Sequence, residues 1–210
     1  MMSDGKSKSA RRRPQARRRK FYRIGPDYRR GGKPGFRLED NSVIPYGAQR
    51  LPDFAEPPRV VFDESAGDLP SDLEPCARFW LIPDRTKAVL ETVDPRSFLF
   101  VLCDVRVPQG VWDGPQYWLC EVVRVLDALD EAQSRLKIGI RDDDRYLDFG
   151  KKFYDFSGGA ELVFNEDVIG DAHVFRMAHR GSTVICDQVL KDACKSAGLK
   201  KIRFRDVTSL

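Results

Sequence analysis

Two histidines, five cysteines and one run of acids are the residues of this sequence whose types could do chemistry. His173 and His179 are separated by a stretch that reads as extended, with Phe175 and Met177 between them. Two imidazoles at that spacing can share a strand face. No third Cys, His or acid stands at a metal-ligand interval, so no metal is expected. His173 reads as a packed strand-end residue and His179 as a surface turn residue. A nucleophilic pair could be drawn from Cys186 and either histidine, yet a place at a helix start already accounts for Cys186. Cys76, Cys103, Cys120, Cys186 and Cys194 are odd in number and widely spaced, with no C-x-x-C. They read as buried free thiols of a reducing compartment.

Asp142-Asp143-Asp144 lacks the Gly and the distal Glu of a calcium loop and reads as a solvated hairpin tip. Gly31-Gly32-x-x-Gly35 sits among turns with no helix after it, so it is a loop and not a phosphate cradle. G-x-x-x-x-G-K-[ST], G-x-S-x-G and H-E-x-x-H do not occur. The inventory leaves no catalytic residue and no cofactor to expect, and points to a protein that works by binding.

The groups that could bind are of two kinds. Trp112, Tyr117 and Trp118 cluster at a Pro- and Gly-containing loop, beside Asp113. Exposed, they would be interface anchors; buried, they would cap a sheet. The acidic stretches Asp127–Glu131 and Asp142–Asp144 would suit a basic partner through steering and rim charge pairs. Charge is unevenly spread. Residues 1–20 hold nine Lys and Arg against Asp4, a local +8, so the other 190 residues carry −4 of the net +4. Residues 1–19 have too few apolar side chains to repay their ordering and read as a disordered basic arm. Arg11, Arg12, Arg13, Arg17, Arg18 and Arg19 make it either a tether for nucleic acid or another polyanion, or a solvated tail. No aromatic is interleaved before Phe21, as single-strand recognition would want.

The elements that must position these groups read as α+β: a mixed or mainly antiparallel sheet with few short helices. Strands are expected at Phe21–Ile24, Val60–Phe62, Phe79–Ile82, Ser134–Ile140, Arg145–Phe149, His173–Met177, Ser182–Ile185 and Lys201–Asp206. Tyr117–Leu126 is open between strand and helix. Ser97–Val107 reads as one long buried strand. Phe153–Phe156 and Glu161–Asn165 read as a pair around Gly158-Gly159. The turn-rich stretch from Gly25 to Pro58 should wrap the body on Phe36, Ile44, Tyr46 and Phe54, and residues 63–76 form a polar connection. A helix is expected over Arg85–Val93, stopped by Asp94-Pro95. A second opens at Cys186-Asp187 and runs to Ala197, with Val189, Leu190, Ala193, Cys194 and Ala197 on one face and Gly198 ending it. Both helices sit in a strand–helix–strand order, Ile82 to Asp104 and Ile185 to Asp206, so residues 20–210 read as one body, built either of two similar halves, 20–115 and 116–210, or of the same common grammar met twice by chance. No run approaches the about 20 apolar residues of a membrane helix.

Four stretches carry a resemblance to a family. They are Lys20-Phe-Tyr-Arg-Ile24, Tyr117–Arg135, Val168-Ile-Gly-Asp-Ala-His-Val-Phe-Arg176 and Val184–Val207. In them the chain resembles a bacterial immunity-protein family of polymorphic toxin systems, over residues 20–210. At the two helix starts, where that pattern has Ser, this chain has Pro83 and Cys186. The resemblance implies a cytoplasmic, non-enzymatic antidote. It would bind the cognate toxin domain of a secreted effector, a nuclease for instance, as a toxin–immunity heterodimer and occlude its active or substrate-binding surface. The toxin-binding candidates are then Trp112, Asp113, Tyr117, Asp130, Glu131, Asp142, Asp143 and Asp144. The alternative is a nucleic-acid-binding accessory protein acting through the arm.

Overall fold

A computed structural model describes residues 18–29, 34–145 and 149–210 of the chain. Its strands and helices are, in order, Phe21–Pro26 (β1), Phe36–Leu38 (β2), Arg59–Phe62 (β3), Glu74–Cys76 (β4), Phe79–Pro83 (β5), Asp84–Val93 (α1), Phe98–Leu102 (β6), Asp104–Arg106 (β7), Tyr117–Val122 (β8), Val125–Leu126 (β9), Lys137–Ile140 (β10), Lys152–Asp155 (β11), Glu166–Ile169 (α2), Val174–Met177 (β12), Arg180–Asp187 (β13), Gln188–Ser196 (α3) and Ile202–Asp206 (β14). This is the α+β class with mixed sheets and few short helices that the pattern predicts.

Two sheets form the frame. One has the order β4-β5-β8-β6 and the other β14-β1-β13-β12-β9. In the first, β5 and β6 both run antiparallel to β8, which lies between them. In the second, β13 and β14 both run antiparallel to β1, which lies between them. Each strand–helix–strand unit is therefore a pair of parallel strands split by a third strand. The strand that splits each pair belongs, in chain order, to the other end of the molecule: β1 completes the second sheet and β8 the first.

Helices α1 and α3 pack on each other between the sheets. Leu90 of α1 and Leu190 and Cys194 of α3 meet Trp80, Ile82, Cys120, Val122, Tyr22, Ile24, Val184 and Cys186 in one core. The period-2 alternation of the strands sends the next residues to the opposite faces. Phe79, Leu81 and Leu119 pack there under the segment carrying Leu38, Ile44 and Leu51. Phe175, Met177 and Ile185 pack under the segment carrying Leu162, Phe164 and Ile169. The 25–58 stretch does wrap the body, with Ile44 buried and Phe36 and Phe54 partly so, but Tyr46 is wholly exposed and anchors nothing.

Caps explain the helix limits. Asp187 accepts from Leu190 N at 3.2 Å and starts α3. Cys186 does not open the helix: it is the penultimate residue of β13, wholly buried, and a thiol is a poorer acceptor for a free N–H than a carboxylate. Gly198 takes φ +66 at the other end, a conformation open to glycine without strain. Val189 sits on the outer side of the first turn and is half exposed, so the buried stripe is carried by Leu190 and Cys194. Pro83 precedes α1 with no side-chain cap bond, and Asp84 supplies an acid in the first turn.

Elsewhere the chain departs from the expected elements. Ser97–Val107 is not one strand. It breaks at Cys103, whose N–H goes to Tyr117 O at 3.0 Å, while Asp104 N turns to Pro58 O at 3.0 Å. β6 stays in the four-stranded sheet and β7 joins a second small sheet, β2-β3-β7. As an edge strand β6 leaves Leu99 and Leu102 partly exposed, at 41% and 39%. The 63–76 connection ends in β4 and buries Ser71, Asp72, Leu73 and Glu74.

Residues 153–156 do not pair with 161–165. β11 pairs with β10. After Gly158 and Gly159, both at positive φ, Ala160 exchanges hydrogen bonds with Leu210, and Glu161 with Arg135. The turn thus delivers the chain to the C-terminus instead of back along β11. Arg145 and Phe149, the ends of another expected strand, lie in turns; residues 146–148 fall outside the described residues.

Candidate functional site

Trp112 and Tyr117 plug the fold. Tyr117 is 3% exposed. Its ring lies 4.8 Å from that of Phe36, and Trp112 stands edge-on to Phe36 and Phe62 at 5.9 and 5.6 Å. The Trp112 indole N–H donates to Pro115 O at 2.9 Å. Tyr117 therefore offers no surface to a partner, while Trp112 shows one side and Asp113 is exposed beside it.

The acidic candidates divide by what holds them. Asp130 accepts from the backbone N–H of Ala132 and Gln133 and closes its own turn. Glu131 accepts from Lys152 Nζ at 2.5 Å and from the Tyr154 hydroxyl at 2.6 Å. Those two bonds hold the Glu131 carboxyl below its usual pKa. Burial, and then the Glu131 and Asp127 carboxylates beside it, push the Tyr154 phenol up. Asp143 is bound by the Arg145 guanidinium at 2.6 and 2.9 Å, which lowers its pKa. Asp142 and Asp144 flank it, exposed at the tip of the β10–β11 hairpin.

That hairpin carries a feature that sequence reading passed over. Ile138, Ile140 and Phe149 are exposed on it at 45%, 61% and 56%. Ile-Gly-Ile at 138–140 signals a strand, but nothing in the three residues says which side faces water. Gly139 lies under the Phe153 ring, where a Cβ would come within 2.7 Å of the ring, and the Arg141 guanidinium covers that ring at 4.6 Å. The hairpin is thus braced on one face and presents isoleucines on the other.

The histidines and cysteines do not assemble a nucleophilic centre. Cys186 is fully buried between the sheets, and burial raises its thiol well above the ordinary range. Burial likewise lifts Cys76 and Cys194 to about 11 and Cys103 to about 12. Thiolates are disfavoured at all four. His173 Nδ1 lies 2.8 Å from Asp187 Oδ2, at a cleft of about 310 Å³ lined by Arg19, Lys20, Gly170, Asp171 and Gln188.

The same Asp187 oxygen receives Arg19 Nη2 at 2.8 Å. Arg19 also donates to Gly170 O and Ala172 O, at 2.8 and 2.7 Å. Asp187 is thereby helix cap, histidine partner and clasp for the start of the described chain. Arg19 belongs to the ordered body and is not free for a polyanion; Arg18 is exposed, and Arg11, Arg12, Arg13 and Arg17 lie outside the described residues. His179 Nε2 is 3.3 Å from Asp127 and its ring stands on Tyr154, a surface turn position as expected. Among the described residues no three His, Cys, Asp or Glu side chains are grouped to hold a metal, and no helix is long and apolar enough to cross a membrane.

The comparisons with known proteins agree with the four stretches that carry the resemblance. No curated protein matches the chain. Residues 10–209 match the family model described as Immunity protein family (Imm11). That match spans both sheets, both packed helices and the hairpin, so the chain belongs to the immunity protein family Imm11.

Proposed function

We propose that this protein neutralises a cognate toxin by binding it as a one-to-one heterodimer in the cytoplasm, without catalysing a reaction. Membership of an immunity protein family over residues 10–209 is the observation that carries the reading. The contact surface runs along the β10–β11 hairpin. Ile138, Ile140 and Phe149 supply apolar area, and Asp142, Asp143 and Asp144 supply a polar rim. Glu131 braces its base through Lys152 and Tyr154, Asp130 shapes the turn beside it, and Trp112 with Asp113 forms a second contact. A rim of carboxylates on a body of charge −4 suits a basic toxin such as a nuclease, whose substrate surface it would occlude.

Co-purification of the full chain with the toxin domain encoded beside it tests this reading. A stable complex that abolishes toxin activity is expected. A toxin that stays active at saturating protein would refute it.

A further inference from the structure

The face of the five-stranded sheet turned away from the helices carries an arrangement that stability does not favour. Tyr22, Ile24, Ile202 and Phe204 pack toward the core between the sheets. Their neighbours Arg23, Arg203 and Arg205 therefore take the opposite face. Arg23 stands directly across from Arg205, and Gly25 across from Arg203. Like charges so opposed sit with Cβ atoms roughly 5 Å apart and destabilise the pair.

Asp27 lies within electrostatic reach of Arg203 and Asp155 within reach of Arg180, but among the described residues no acid forms an ion pair with Arg23, Arg203 or Arg205. Among the described residues Arg23 and Arg203 make no hydrogen bond or ion pair, and Arg205 Nε has only Ser209 O at 3.3 Å. Asp27 is held by Arg29, and Asp155 accepts from Ser157. A fourth guanidinium, Arg180, stands at the rim. It donates to Tyr154 O at 2.6 Å and covers the Phe156 ring at 4.3 Å. Burial, and then Arg180, Arg205 and Arg203, push Arg23 below the ordinary arginine pKa.

The patch has unused capacity. Arg180 Nε and Thr183 Oγ1 are buried without a partner. A Cβ at Gly25 would meet nothing within 4 Å, so the gap between Arg203 and Thr183 is open.

We infer that Arg23, Arg180, Arg203 and Arg205 form a docking patch for an acidic segment of the partner protein, with carboxylates taken by the guanidinium forks. This rests on the toxin-binding reading and deepens it. Arg180 bonds to β11 itself, so the patch begins where the hairpin ends. One contact surface then carries acids at the hairpin tip and arginines at its base, and two signs of charge fix the orientation of a partner where one sign only attracts it.

Carboxylates are favoured over nucleic acid by the surroundings. The four arginines are confined to adjacent strands in a body that is otherwise net acidic, which repels an extended phosphate chain. The Phe156 ring beside the patch already has Arg180 over one face, which closes that face to a stacking base.

The test titrates the full chain with hexaglutamate at low salt, and in parallel with pyrophosphate and a twelve-nucleotide oligo-dT, while the arginine Nε–Hε resonances are followed by NMR. Hexaglutamate should shift Arg23, Arg180, Arg203 and Arg205. Arg23→Gln with Arg203→Gln should weaken its binding at least tenfold and leave the melting temperature equal or higher. Three outcomes overturn the proposal: no shift at these four residues, shifts confined to the first 20 residues, or a response to oligo-dT or pyrophosphate but not to the peptide. The titration uses no toxin, so its failure leaves toxin capture intact and distinguishes the two readings.

Discussion

In the unit built on β5, α1 and β6, the sheet face turned away from the helices is closed by the 36–62 segment, with Phe36, Phe62, Trp112 and Tyr117 interlocked over it. In the unit built on β13, α3 and β14, the corresponding face is closed over β12 and β13 by Tyr154, Leu162 and Phe164, while Arg23, Arg203 and Arg205 are left on the surface. The scaffold is the same in both: two parallel strands, a third between them, one helix against the other unit's helix. The covers differ. A face covered for most of its width by aromatic and aliphatic side chains serves stability. A face half covered, with opposed arginines and a braced hairpin beside it, keeps a cost that the proposed docking would recover.

The largest expected effect breaks the joint between the units. Glu121 of β8 and Arg176 of β12 are both buried, 3.4 Å apart, and Glu121 also accepts from Leu51 N at 2.8 Å. Arg50 Nε also reaches Glu121 Oε1, at 2.6 Å, from the surface, so the change that strands a buried charge is Glu121→Leu, which leaves Arg176 unpaired and should cost about 3–5 kcal/mol in urea denaturation. The double change Glu121→Leu with Arg176→Met should recover much of that. If the single change left stability untouched, the units would not be joined there.

Next come the facing helices. Leu90→Ala and Leu190→Ala should each cost about 2–5 kcal/mol. Both should keep a single transition, since both residues enter one core. A separate early transition in one variant would mean that the halves 20–115 and 116–210 fold apart.

Asp187→Ala should cost about 1–2 kcal/mol through the lost cap of α3 and release Arg19. α1 has no such side-chain bond at Pro83 to lose. Acid should then separate the covers. The folded pKa of Glu131 lies below its unfolded value, so its contribution is full above the unfolded pKa and is lost as pH falls through the folded one. Below about 4.3 the protection of β11 amides should drop, while that of β5 and β8 holds. The smallest effect is a gain: Arg23→Gln should raise stability by roughly 0.2–1 kcal/mol as the opposed charge goes.

Local signals made much of this fold legible before the structure. Leu190, Cys194 and Gly198 mark α3 and its end, and Lys201–Asp206 alternates as a half-buried strand must. What escaped depended on distant partners. Nothing in Phe98–Arg106 shows that Cys103 turns toward Tyr117 while Asp104 turns toward Pro58. Nothing near Gly158 shows that Leu210 captures Ala160. The candidate surface was legible only by residue type: Tyr117 and Ile138 are both apolar strand residues, and only the 36–62 cover decides that the tyrosine is buried while the isoleucine is not. The arginine patch is invisible along the chain, because Arg23 and Arg205 are 182 positions apart and meet only through the register of β1 with β14.

Neutralisation by capture is tested most directly by the affinity of the full chain for the inactivated toxin domain encoded beside it, measured for the native chain and for Ile138→Asp with Ile140→Asp. A one-to-one complex with the native chain is expected, weakened at least a hundredfold by the two hairpin changes while the circular dichroism spectrum stays native. Equal affinity of both chains would contradict the hairpin as the contact surface, and no complex with the native chain would contradict capture itself.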